Sequence, residues 1–158
     1  MTTPTYPLPP VPMPPGVVAG EDGIKGIVWN ILGQTYTPKS CSESSMSWHA
    51  VFPPGTFVPH HIHFTQDEFV YILSGELEAE VGGKLRRAGP GDLVVLPRGI
   101  AHGLFNRSGA DVVAMFWVSP TAKLWEMFSL IHNVPDPAEV VRIAGFHELE
   151  FVPPPALD

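Results

Sequence analysis

From Gly26 onward the chain alternates apolar and polar residues in short runs separated by turn residues, a period that predicts strands. Residues 27–32 and 45–52 are the first candidate strands, and Pro53-Pro54-Gly55 turns the chain into a third run rich in histidine. Residues 68–73 follow. In 76–81 the alternation is strict: Leu77, Ala79 and Val81 take one face, while Glu76, Glu78 and Glu80 take the other, which is expected to be wet. Gly82-Gly83 predicts a hairpin to 84–87, and Gly89-Pro90-Gly91 a turn to 93–96. Residues 102–106 and 111–118 complete roughly eight strands, the spacing of a sandwich or barrel. After Pro120 the period lengthens. Leu124, Met127, Phe128 and Ile131 fall at i, i+3, i+4 and i+7, the stripe of an amphipathic helix. Asp136, Pro137 and Glu139 mark the start of a second helix, with Val140, Val141 and Ile143 as its apolar side. Both helices are expected to pack on the outside of the strands.

These elements fit one domain, since 158 residues can bury a single core. Seven of the first fifteen residues are proline, which fixes φ and removes backbone donors, so residues 1–20 are expected to form an extended arm. Residues 21–120 then make the strand-rich body and 121–158 a helical extension. With 16 acidic and 9 basic residues, the formal charge of −7 offers no footprint for phosphate backbones or anionic lipid. Neither nucleic acid nor a membrane is expected as a partner. The single Cys41 cannot form an internal disulfide, and no apolar run approaches the roughly 20 residues of a membrane span. The N-terminus lacks a basic segment followed by an apolar run, so a cytoplasmic location is expected.

Candidate chemistry is concentrated in two blocks. Gly55-Thr-Phe-Val-Pro-His60-His61-Ile-His63-Phe-Thr-Gln-Asp-Glu68 runs on to Gly75, and Gly91-Asp-Leu-Val-Val-Leu-Pro97-Arg-Gly99-Ile-Ala-His102 runs on to Asn106. Alternate residues of a strand share a face, so His61 and His63 point the same way about 7 Å apart, and His60 points away. Glu68 lies at an odd offset from His63. A regular strand would send it to the opposite face, which predicts a bend at Thr65-Gln66-Asp67. Imidazole and carboxylate suit iron, nickel, copper, zinc, manganese or cobalt, and three histidines with one carboxylate leave open positions for a ligand. If Glu68 faces the metal, Val70 and Ile72 share its face, while Phe69 and Tyr71 look outward. His49, His132 and His147 read as structural, as does Asn106.

Written as spacings, the blocks are G-x5-H-x-H-x4-E-x6-G and G-x5-P-x-G-x2-H-x3-N, and the chain thereby resembles the cupins. The resemblance implies an all-β fold, the double-stranded β-helix or jelly-roll barrel, here with a short C-terminal helical extension. It implies His61, His63, Glu68 and His102 as ligands of one divalent transition metal per chain. The segment from Leu124 to the prolines after Val152 is similar to the extension of bacterial single-barrel cupins related to quercetin dioxygenases. That likeness implies a metal-dependent dioxygenase that opens a flavonol or related enolisable aromatic ketone with O2, with Glu68 as the base. A metal-dependent lyase or isomerase without O2, and a small-molecule-binding cupin without catalysis, are the alternatives. An apolar lining with only Arg98 as a nearby cation favours an aromatic substrate over a small dianion. Outward aromatics and the habit of single-barrel relatives predict a homodimer with the arm lying along the partner.

Overall fold

A computed structural model describes residues 13–158. Among these residues eleven strands form two antiparallel sheets: β1 (Trp29–Ile31), β2 (Gln34–Cys41), β3 (Met46–Phe52), β4 (Phe57–His63), β5 (Asp67–Ser74), β6 (Leu77–Val81), β7 (Lys84–Ala88), β8 (Leu93–Leu96), β9 (His102–Phe105), β10 (Val112–Ser119) and β11 (Leu149–Phe151). One sheet has the order β1-β2-β3-β10-β5-β8 and the other β11-β4-β9-β6-β7, so from β3 onward the chain passes back and forth between the layers, the β6–β7 hairpin excepted, as in a jelly roll. The helices α1 (Leu124–Ile131) and α2 (Pro137–Ala144) lie between β10 and β11 in the chain.

Burial alternates with period 2 along the central strands. On β10 the residues Val112, Ala114, Phe116 and Val118 are buried and their neighbours are not. Between the layers Trp48 stacks on Phe116 at 5.3 Å, and Phe128 of α1 meets Trp48 edge-on at 5.1 Å. Gly75 at φ +82° closes the turn after β5 where an added Cβ would stand 2.5 Å from Asp111 O, so only glycine fits.

Three expectations are corrected. The strand predicted over 27–32 contracts to β1, and β2 was not foreseen; its Pro38 stands where the β2–β3 register shifts, beyond the reach of β1. The face of β6 carrying the glutamates is not uniformly wet. Glu80 is buried because His60 Nε2 reaches its Oε2 at 2.8 Å and Arg107 Nη2 its Oε1 at 3.2 Å. The helices do not pack on the outside: Leu124, Met127, Phe128 and Ile131 of α1, with Val140 and Ala144 of α2, wall an internal cavity.

Of the proline-rich arm expected over 1–20, residues 1–12 lie outside the described residues. The part that follows is held at Lys39, whose Nζ donates to the carbonyls of Ala19 and Gly20 at 2.8 Å each. No helix among the described residues is long and apolar enough to cross a membrane.

Candidate metal centre

Strand β4 supplies His61 and His63 from one face, as alternation demands, and β9 places His102 directly opposite His61. The chain leaves β4 after His63, bends through Phe64 to Gln66 and re-enters a strand at Asp67, which reverses the phase and turns Glu68 inward. His61, His63, Glu68 and His102 converge, each offering one donor atom, all within 4.8 Å of one another. All four are buried. His60 faces the other way and takes no part.

The distal ring nitrogens are already engaged. His61 Nδ1 lies 2.7 Å from Pro59 O, His63 Nδ1 2.9 Å from Gln66 Oε1, and His102 Nδ1 3.4 Å from Ile100 O. Carbonyl oxygens only accept, so Nδ1 carries a proton, and in the neutral ring Nε2 then presents a lone pair to the centre. Glu68 Oε2 stands 3.0 Å from His63 Nε2 and 3.3 Å from His102 Nε2. Neither Glu68 Oε2 nor His102 Nε2 completes a well-directed hydrogen bond. Buried polar atoms left so cost about 1–3 kcal/mol each, more when charged. A divalent transition ion among the four would satisfy them together, so the residues fit the metal that this donor set implies.

For His61 and Glu68 the charge states agree with that fit, whereas at His63 burial lowers the imidazole but the adjoining Glu68 outweighs it and raises it. Burial, then the neighbouring His102 and His63, hold the His61 imidazolium well below its usual range, leaving the ring neutral. Burial would raise the Glu68 carboxyl, but the adjoining His102 and His63 outweigh it and hold it far below the usual carboxylate range, as an anion. Burial keeps the Tyr36 phenol protonated, aided by the Glu68 charge, and its hydroxyl donates to Gln34 Oε1 at 2.6 Å.

Above the cluster lies a cavity of about 50 Å³ walled by Tyr36, Trp48, Phe116, Phe128, Leu149 and Phe151 among others, with no lysine or arginine. Arg98, the cation foreseen near the site, is instead paired with Asp67 at 3.0 Å. Phe116, not Trp117, lines this space. Trp117 stacks outside on Phe69 at 5.4 Å. Sequence reading did not find Tyr36, on the unforeseen β2, or Phe151, which β11 lays over His61 at 5.5 Å. It noticed Gln66 only as part of a bend. The polar position between His63 and Glu68 was the one available signal for that residue.

Residues 48–119 match the family described as Cupin domain. The tetracenomycin polyketide synthase protein TcmJ of Streptomyces glaucescens is 30% identical over 104 residues, 65% of this chain and 70% of that protein. Among solved structures, KdgF from a Halomonas species aligns with a TM-score of 0.53 and 27% identity, over 56% of this chain and 79% of its own. An RmlC-like cupin from Shewanella frigidimarina aligns with a TM-score of 0.61 over 68% of this chain and 93% of its own; at 19% identity it speaks for the fold alone.

Proposed function

Because this chain belongs to the cupin superfamily and keeps all four donors, we propose that it is a mononuclear-metal dioxygenase acting on an enolisable aromatic ketone. The observation that carries the reading is the convergence of His61, His63, Glu68 and His102, the first three of which line the floor of an apolar cavity. His61, His63, Glu68 and His102 would hold the metal, which when bound supplies Lewis acidity and, for a redox-active ion, a means of engaging O2. The chain's own residues do the rest. Glu68 accepts the proton of the substrate's acidic hydroxyl or α-carbon on its carboxylate. Trp48, Phe116 and Phe128 exclude water and offer faces to a flat substrate. The absence of a cation from the lining argues against sugar phosphates and small dianions.

A cavity of about 50 Å³ is far smaller than the roughly 300–1,000 Å³ of ligand pockets, so a substrate of this class needs its walls, α1 and α2 among them, to give way. The likeness to a polyketide synthase protein favours one second reading: the same enolisation on a polyketone, completed without O2 as an isomerisation or lyase step.

The test is anaerobic reconstitution with iron, nickel, manganese, cobalt or copper, followed by flavonols, phenolic ketones and β-diketones with an oxygen electrode. The expected result is oxygen uptake equal to ketone consumed, with both atoms of labelled O2 in the products. Turnover that persists without oxygen transfers the assignment to the second reading. No turnover with any ion in either atmosphere removes both.

A further inference from the structure

Gln66 is buried between β4 and β5, and every polar atom of its amide is in use. Nε2 donates to Pro120 O at 3.0 Å and to Thr121 O at 2.7 Å, while Oε1 faces His63 Nδ1 at 2.9 Å. Two carbonyls on one side can only accept, so the amide has a single allowed orientation: its NH2 toward them and its oxygen toward His63. That oxygen in turn obliges His63 Nδ1 to carry hydrogen, which leaves Nε2 free for the metal. The carbonyls belong to the joint where β10 ends and the cover begins. Thr121 O also accepts from Leu124 N at 3.1 Å, the first residue of α1, and Thr121 N donates to Glu43 O at 3.2 Å.

We propose that Gln66 is a positioning residue that fixes His63 toward the metal and fastens it to the root of α1, so that metal loading and closure of the helical cover stabilise one another. Linkage makes the effect reciprocal: if a bound ion holds the cover closed, a closed cover holds the ion by the same factor. The proposal rests on the metal reading of the cluster, and its test uses readouts other than turnover.

Three proteins are compared: wild type, Gln66→Leu and Gln66→Glu. The glutamate oxygen can still accept from His63 Nδ1 but, ionised, cannot donate to Pro120 and Thr121; leucine does neither. Affinity for Co2+ and its visible spectrum report the centre, and amide hydrogen exchange of 124–131 reports the cover. In wild type, Co2+ is expected to slow exchange of α1 at least about tenfold. Gln66→Leu should bind Co2+ about 10- to 100-fold more weakly, with an altered spectrum, the usual cost of losing a partner behind a ligating histidine. Gln66→Glu should keep the wild-type Co2+ spectrum but lose about tenfold in affinity, the factor of the broken coupling, while its α1 exchanges faster and gains no protection from the ion.

Wild-type affinity and spectrum in Gln66→Leu would overturn the positioning role, and undiminished Co2+ protection of α1 in Gln66→Glu would overturn the tie. Wild type that binds no Co2+ loses the metal reading instead. Metal-free Gln66→Leu then still decides the tie: α1 exchange as slow as wild type refutes it, and faster exchange confined to α1 supports it.

Discussion

His61, His63 and His102 each bring one Nε2 to the centre, so Ala at any of them should lower Co2+ or Ni2+ affinity at least about tenfold; near-full occupancy in all three variants would remove the assignment. Glu68→Gln keeps an oxygen donor but not the base, so metal should partly remain while turnover falls on the order of a hundredfold. Equal turnover would reduce Glu68 to a ligand. Cys41 makes a separate prediction. Burial pushes its thiol up to about 11, so at pH 8 about one molecule in a thousand carries the reactive thiolate, and alkylation should wait for unfolding. Reactivity rises with pH toward that value. Rapid labelling of native protein at pH 8 would show that β2 opens locally. The four donors were legible in the sequence because two spacings fix them on facing strands. Gln66 was not, because its meaning comes from carbonyls 54 and 55 residues further along the chain.

The strands β3, β5 and β10 were placed in the sequence, but the faces of β5 were read only from Glu68 and those of β10 are settled by its burial pattern. β11 was not: three residues are too few to show a period, and its partner β4 lies far back in the chain. The stripe on α1 told that one side is buried, but a stripe does not say against which wall. α2 was marked by its first residues, and Asp136 Oδ1 does accept from Ala138 N at 3.0 Å. Asp136→Ala should cost about 1 kcal/mol, loosening α2 without changing metal content. Exchange measured along the chain should speed up in 137–144 first. Uniform acceleration across the barrel would mean that the cover and barrel unfold as one unit.

At the scale of the molecule, the outer face of the larger sheet is unusually apolar. Tyr71, Leu73, Leu93 and Val95 are exposed beside the Phe69–Trp117 stack, and β8 is an edge strand. An antiparallel sheet that met only water there would carry polar residues. We expect a second copy to cover it, giving a homodimer at tens of micromolar by light scattering. Tyr71→Glu with Val95→Lys should yield monomer with its metal retained. A monomeric wild type would end this expectation. The covering of His61 by β11 has a further consequence, in the order of synthesis. The ribosome delivers the whole donor set by His102, while the helices and the strand that roof it emerge later. An ion reaching the nascent chain meets an open bowl; one reaching the finished protein must wait for the roof to lift. Metal present during refolding should therefore be captured faster than metal added afterwards, so that the choice of ion in a cell is made by what is abundant at translation.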